Sequence, residues 1–307
     1  MTVATLHRQA VRQLQPAYSD DEARALSYAL LSHFAGLSRA HLYASPDTNL
    51  PPATADRIQV AVAALLRYKP LQYITGEALF CGFPITVTDD VLIPRPETEE
   101  LTLWAADSAK QRLSRSTGRR KGGAPFTIVD LCTGSGCIAV ALAAMLPAAD
   151  VYACDRSPAA LEIAQRNAIR NGVAVHCFRC DLLAAPAFDR KIDCLIANPP
   201  YVRQSEKAQM HPNVLRYEPP EALFVDDDDP LIFYRAIARF AKCHLRAGGT
   251  GFVEINEALG GDVKALFTSC RFTNVEVRRD MNGKERMVAF SYPAPPAATS
   301  PANRGAL

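Results

Sequence analysis

Asn198-Pro199-Pro200-Tyr201 is a stretch whose residue types could hold a planar amino group. An Asn side-chain carbonyl and a prolyl backbone carbonyl, aimed the same way, make two acceptors for the two hydrogens of an –NH2. Tyr201 adds a flat ring beside them. The four residues follow Ile192-Asp193-Cys194-Leu195-Ile196-Ala197, a short run apolar on both faces that reads as a buried parallel strand. Two consecutive prolines cannot donate to a ladder, so the strand must stop there and turn. In an open α/β sheet, this carboxyl edge is where ligands bind. A strand-ending turn with no chemistry would account for these four residues equally well. The rest of the chain has to decide.

A second constellation lies upstream. Thr127-Ile128-Val129-Asp130-Leu131 reads as a strand, Cys132-Thr133-Gly134-Ser135-Gly136-Cys137 as a turn, and Ile138 to Leu146 as an apolar helix ended near Pro147. Strand, Gly-containing turn and helix form the context of a nucleotide loop, in which glycines let the backbone turn sharply and approach a ligand. The next strand, Val151 to Cys154, ends in Asp155, and Ser157-Pro158 caps the following helix. An acid at Asp155 can accept both hydroxyls of a ribose diol. A third strand, Ala174 to Phe178, leads to Asp181-Leu182, a pair able to meet an exocyclic amine and an aromatic ring. Together these predict an adenosine-containing ligand.

The elements that must position these residues alternate strand and helix from about residue 97 onward. A helix over Pro230–Leu245 stops at Gly248-Gly249, and a strand at Gly251–Ile255 follows. A helix from about Asp262 to Ser269 precedes two closing strands, Thr273–Arg279 and Glu285–Phe290. Asn282-Gly283 between these is a hairpin signal, so the sheet ends antiparallel. Residues 1 to about 70 read as helices, with Ser19 as a cap, Gly36 as a stop and a second periodic stretch from Ala55 to Tyr68. Phe80–Val87 and Val91–Ile93 read as strands joined through Thr88-Asp89-Asp90. Ile93-Pro94-Arg95-Pro96-Glu97 then stiffens the chain around Arg95 ahead of a helix running to about Arg112. Residues 113–126 read as a basic, Gly-containing surface loop.

Composition narrows the class. The chain has 307 residues, about half of them apolar, and suits two domains. A net charge of +2 gives no electrostatic reason to expect a nucleic-acid backbone as partner. The basic cluster Arg112, Arg115, Arg119, Arg120 and Lys121 is interrupted by Gly, Ser and Thr and reads as a solvated loop. Nine cysteines form no framework, and Cys177-Phe178-Arg179-Cys180 lacks a helix at its first Cys, so reduced thiols and a cytoplasmic setting are expected. No signal pattern or apolar run of bilayer length occurs, so no membrane role is expected. His7, His33 and His41 sit singly, and the Asp226–Asp229 run reads as a solvated loop rather than a metal site.

The Gly loop, the acid on strand two and Asn-Pro-Pro-Tyr on strand four together resemble a class I S-adenosylmethionine-dependent methyltransferase acting on a planar nitrogen. More closely, residues 65–292 resemble the protein-(glutamine N5) methyltransferases of peptide chain release factors, the HemK/PrmC family. The resemblance is carried by Pro70-Leu71-Gln72-Tyr73-Ile74-Thr75-Gly76, Ile93–Glu99, Asp130–Cys137, Asn198–Tyr201, Tyr217-Glu218-Pro219 with Ala222-Leu223, and Asp280 with Gly283 and Arg286. It implies a mostly parallel seven-stranded Rossmann-like sheet with an antiparallel terminal hairpin. A helical substrate-recognition domain over 1–75, a β-hairpin linker over 76–96, a methyltransferase domain over 97–292 and a disordered tail over 293–307 are expected.

It further implies S-adenosyl-L-methionine held by Cys132, Thr133, Gly134, Ser135, Gly136, Asp155, Leu182 and Asn198, with no metal. Asn198, Pro199, Pro200 and Tyr201 would bind and methylate the glutamine of the Gly-Gly-Gln motif of class I release factors, the enzyme acting as a monomer. A glutamine methyltransferase of a large-subunit ribosomal protein and a nucleic-acid exocyclic-amine methyltransferase remain as alternatives. Two departures stand out. Cys132 replaces the family's first loop glycine, so no positive φ is expected there. Asn256-Glu257 stands where the family commonly has Gly.

Overall fold

In the computed structural model, which describes residues 1–115 and 125–294, the chain divides into two compact units. The first comprises Met1–Ala78, Ile85–Ile93 and Glu206–Pro220. The second comprises Leu79–Pro84, Pro94–Ser205 and the chain from Glu221 onward.

The first unit is helical: α1 (Val3–Leu14), α2 (Asp20–Ala35), α3 (Arg39–Ala44), α4 (Pro52–Leu65) and α5 (Leu71–Thr75). Thr2, Ser19 and Ser38 cap the first three, each side chain accepting an N–H from the first turn. Gly36 closes α2 at φ 67°, as its position in the sequence predicts. The second periodic stretch starts three residues earlier than expected, at Pro52, and stops at Leu65. Leu6, Leu14, Leu30, Leu31, Ile58 and Leu65 are fully buried together. At about 1.5–3 kcal/mol for each such side chain, this packing holds helices as short as α3 that would not persist alone.

β1 (Glu77–Phe80) and β2 (Phe83–Thr86) form a two-stranded sheet of their own. The expected pairing of Phe80–Val87 with Val91–Ile93 through Thr88–Asp90 does not occur. Cys81 (φ 49°) and Gly82 (φ 83°) both adopt the left-handed conformation that a tight two-residue hairpin demands, so the chain reverses there. Val91–Ile93 is instead tied by other bonds. The Val91 carbonyl accepts the Tyr73 hydroxyl at 2.7 Å, and the Ile93 N–H donates to Glu218 at 3.3 Å.

The second unit begins with α6 (Pro96–Arg115), β3 (Phe126–Leu131), α7 (Cys137–Met145), β4 (Ala149–Asp155), α8 (Pro158–Arg170), β5 (His176–Arg179), β6 (Ile192–Ala197) and β7 (Val202–Arg203). Glu206–Pro220, which carries α9 (Pro212–Tyr217), belongs to the first unit, where the Tyr217 hydroxyl donates to the Arg67 carbonyl at 3.0 Å. β8 (Phe224–Val225), α10 (Ile232–His244), β9 (Leu245–Glu254), α11 (Gly260–Ser269), β10 (Thr273–Arg279) and β11 (Glu285–Ser291) complete the second unit. Residues 116–124 of the expected basic loop and 295–307 of the expected tail lie outside the described residues.

The main sheet has seven strands in the order β10-β11-β9-β6-β3-β4-β5, and only β11 runs against the others. β3 and β6 are buried at every position, which explains why both read as unbroken apolar runs. The chain passes from β3 outward to β4 and β5, then returns to the other side of β3 as β6. That reversal opens a crevice at the carboxyl ends of β3 and β6. One expectation shifts here: Gly248-Gly249 does not separate α10 from a later strand but lies inside β9, which starts at Leu245. The ladder to β6 is irregular at that point, and Gly248 takes φ 72°. Further along β9, a Cβ on Gly251 would stand 2.2 Å from the Phe290 ring, so glycine there lets the ring lie across the strand.

Candidate active site

Five strand ends supply the residues at the crevice: Cys132 follows β3, Asp155 ends β4, Leu182 comes after β5, Asn198 follows β6 and Glu254 ends β9. At the first of these the sequence expectation fails, because Cys132 sits at φ 58°. The reversal from β3 into α7 imposes the left-handed conformation whatever residue stands there, at about 1–2 kcal/mol for a residue with a Cβ. Burial and the nearby Asp155 push the Cys132 thiol well above its ordinary range, so it is held as a neutral thiol.

Beyond Cys132 the loop is tightly fixed. Gly136 N–H donates to Thr133 O at 2.9 Å, and the buried Asn167 amide donates to Ser135 O at 2.8 Å. Gly136 has φ 77°, and a Cβ on it would lie 2.7 Å from the Ala164 Cβ, so only glycine allows α8 to pack against this loop. Asp155 accepts the Gly134 N–H at 3.0 Å through Oδ2 and the Ser157 N–H at 2.9 Å through Oδ1. Each oxygen keeps a second lone pair for a ligand. Leu182 is buried in a short 3₁₀ turn, while the Asp181 carboxylate accepts the Leu183 N–H at 3.0 Å.

Asp130, at the end of β3, is wholly buried. The Thr133 hydroxyl donates to its Oδ2, whereas Oδ1 lacks a hydrogen-bond partner among the described residues. Burial raises this carboxyl from its ordinary 3.8 to about 7, against the pull of Thr133 and the Ala139 amide. A buried carboxylate oxygen without a partner, a Gly134 with open space where a Cβ would sit, and a strand-end acid with free lone pairs fit an adenosine-bearing sulfonium cation.

Asn198 is half-buried, and Pro199 and Pro200 are buried. The Asn198 Nδ2 donates to Thr98 Oγ1 at 3.1 Å, and Thr98 Oγ1 donates to Glu254 Oε2 at 2.6 Å. The Tyr201 hydroxyl donates to Glu254 Oε1 at 2.8 Å, and the Asn256 amide donates to the Tyr201 carbonyl at 3.3 Å. Burial raises Glu254 above its ordinary 4.5, opposed by these bonds and by the Arg286 charge. Burial beside Glu254 also lifts Tyr201 well above the usual phenol range. Asp280 caps the β10–β11 turn and pairs with Arg286, which in turn pairs with Glu257 at 2.9 Å.

Comparison with known proteins converges on one family. Residues 5–76 match the PrmC N-terminal domain, and residues 116–223 match the Methyltransferase small domain. A release factor glutamine methyltransferase of Flavobacterium psychrophilum is 38% identical over 95% of this chain and 100% of its own length. That of Cereibacter sphaeroides is 39% identical over 96% of this chain and 100% of its own. The chain belongs to the release factor glutamine methyltransferase family. Among solved structures, the hMettl16 catalytic domain in complex with a MAT2A 3′UTR hairpin shares the fold, at a TM-score of 0.54 and 15% identity, covering 90% of this chain and 93% of that one.

For a member of the release factor glutamine methyltransferase family, the residues missed by sequence reasoning are as informative as those found. Asp130, Thr98, Glu254 and Asn256 drew no individual role from the sequence, yet all four are buried and bonded into the strand-end cluster. An acid closing an apolar strand, as Glu254 does, was the available signal for one of them. No helix is long and apolar enough to cross a membrane, and no metal-holding cluster of His, Cys, Asp or Glu occurs, among the described residues.

Proposed function

We propose that this protein transfers a methyl group from S-adenosyl-L-methionine to the side-chain amide nitrogen of the glutamine in the Gly-Gly-Gln loop of class I peptide chain release factors, working as a cytoplasmic monomer without metal. The observation that carries the reading is the Asn198 amide. Its Nδ2 donates to Thr98 Oγ1, which leaves Oδ1 as an acceptor in addition to the backbone carbonyl of the next residue, Pro199. Two such acceptors suit a primary amide, and Tyr201 supplies a flat surface for it to pack on.

The bound donor supplies a methyl already activated by its sulfonium. A glutamine nitrogen is a weak nucleophile because its lone pair is delocalised into the carbonyl. What the chain must contribute is placement, and fixing two reactants in attack geometry contributes about 7–11 kcal/mol. Asn198 Oδ1 and the Pro199 carbonyl accept the two N–H bonds, direct the nitrogen's face and stabilise positive charge that builds there. Cys132, Thr133, Gly134, Ser135, Gly136, Asp155 and Leu182 hold the donor. No strong base is required, since an N-protonated amide loses its proton readily to water.

Asp130 gives a pH-dependent expectation. Its raised folded value means the unliganded fold binds more protons than the unfolded chain between the ordinary 3.8 and about 7, so this carboxyl lowers stability as pH rises through that window. A cationic donor favours the ionised form. Donor affinity should therefore fall up to about tenfold per pH unit below about 7 and level off above it. Titration calorimetry from pH 5.5 to 8.5 checks this, and Asp130→Asn should flatten the profile.

Recognition of the protein substrate is assigned to the first unit. Arg8, Arg12, Arg24 and Arg39 line a groove there around Tyr28 and Tyr43, with Arg39 lying over both rings at 5.8 and 5.9 Å. Reversing Arg12 and Arg24 to Glu should raise KM for the release factor about tenfold, more at low salt, while kcat and donor affinity hold. Equal KM at low and high salt would remove this groove from recognition.

The whole reading is tested by incubating the protein and labelled S-adenosylmethionine with release factors, ribosomal proteins and total RNA, then locating the label by mass spectrometry. Label on the Gly-Gly-Gln glutamine supports it. Label confined to a ribosomal protein or to RNA amines overturns it.

A further inference from the structure

We propose that Glu254, acting through Thr98, sets the direction in which the Asn198 amide faces and so makes Asn198 an acceptor for the substrate; this rests on reading Asn198 as the grip on the substrate amide.

The protons along this chain of bonds admit one arrangement when the carboxylate is ionised. An ionised carboxylate can only accept. Glu254 Oε2 lies 2.6 Å from Thr98 Oγ1 and takes the single proton of that hydroxyl. With its proton committed, Thr98 Oγ1 can only accept from its other neighbour. The Asn198 group 3.1 Å away must then be the NH2 end of the amide. The oxygen end is turned away from Thr98, free to receive an N–H. The amide orientation, which heavy-atom positions alone leave ambiguous, is thereby fixed by a charge two bonds away. The second oxygen of Glu254 does the same for Tyr201, whose hydroxyl donates to Oε1 at 2.8 Å. One buried carboxylate thus fixes both polar ends of the Asn198–Tyr201 segment.

Protonating Glu254 would release this polarity. A neutral carboxyl can donate to Thr98, whose own proton then turns toward Asn198 and donates to the oxygen of the flipped amide. The Asn198 NH2 would then face the substrate amide where an acceptor is needed, leaving only the Pro199 carbonyl to receive an N–H. The surroundings poise the group for that. Burial favours the neutral form and Glu97 on α6 adds to it, whereas Arg286 on β11 and the bonds from Thr98 and Tyr201 oppose it. The Tyr234 hydroxyl on α10 is spent on the Glu254 backbone carbonyl at 3.1 Å and does not reach the carboxylate's role.

Thr98→Val removes the hydroxyl and keeps the shape. Single-turnover methylation of a release factor should fall about ten- to hundredfold, as expected for losing a hydrogen bond to a charged group, with donor Kd by calorimetry unchanged. Thr98→Ser, which restores the hydroxyl, should recover most of that loss. Glu254→Gln provides an independent reading should Thr98→Val melt early. Wild-type kcat should drop on the acid side as Glu254 protonates, and the Gln variant should show a lower plateau without that acid limb. The relay is overturned if Thr98→Val turns over within about twofold of wild type, below what one such bond contributes, or if Thr98→Ser is as impaired as Thr98→Val. A wild-type protein that labels RNA amines instead of glutamine would remove the proposed substrate, and the Val-against-Ser comparison on that acceptor would still decide the relay.

Discussion

Asn198→Ala should lower single-turnover methylation by about 10²–10³-fold, the range seen when one preorganised hydrogen-bonding group facing developing charge is removed. The substitution deletes an acceptor at the carboxyl end of β6 and leaves Thr98 and Glu254 bonded to each other. Neither of the groups that fix Asp155 is disturbed, since Gly134 and Ser157 hold it from the other side of the crevice. Donor Kd should therefore change little while turnover collapses. The measurement is a rapid-quench rate at saturating donor together with calorimetry of donor binding. The reverse outcome, an intact single-turnover rate with lost donor affinity, would sink the assigned role of Asn198.

Asp155→Ala should produce the opposite split. Asp155 accepts two backbone N–H bonds, and in the proposed donor site its remaining lone pairs receive the ribose diol, so truncation would remove both those acceptors and an anchor of the Gly134 turn. Charge-assisted bonds contribute about 1.5–3 kcal/mol each, and losing two of them corresponds to about 10²–10⁴-fold in donor Kd. At donor concentrations high enough to fill the variant, turnover should recover toward wild type. Donor Kd within a factor of a few of wild type would exclude Asp155 from the donor site, and failure to recover at saturation would mean the loop itself had moved.

These two substitutions divide the site along a line that the sequence already drew. Local signals sufficed wherever one short stretch carries the whole constraint. Consecutive prolines end β6, Gly36 ends α2, and Asn282-Gly283 turns β10 into β11, because each acts through its own φ or missing N–H. Where several backbones compete, local reading failed. Cys81-Gly82 outcompeted Thr88–Asp90 for the hairpin, and Cys132 took a positive φ because the β3–α7 reversal leaves no other path. Gly248-Gly249 was absorbed into β9 as an irregularity, because the ladder to β6 holds on either side of it, at Leu245 and Thr250, and Tyr292 bonds to both glycines.

Asn256-Glu257, a departure from the family pattern in the sequence, proves to be occupied: Asn256 holds the Tyr201 carbonyl and Glu257 pairs with Arg286. Neither partner is near in sequence, so nothing local could announce them. The same holds for Glu254, 156 residues from Thr98 and 53 from Tyr201. By itself, the sequence determined the alternation of strands and helices, the acids and glycines at strand ends, and the Asn-Pro-Pro-Tyr segment, because strand periodicity and turn chemistry are local. Only the tertiary structure decided which way the Asn198 amide faces. That direction depends on a proton held between side chains brought together by α6, β6 and β9, and proton direction is a property of the assembled network rather than of any one stretch of chain.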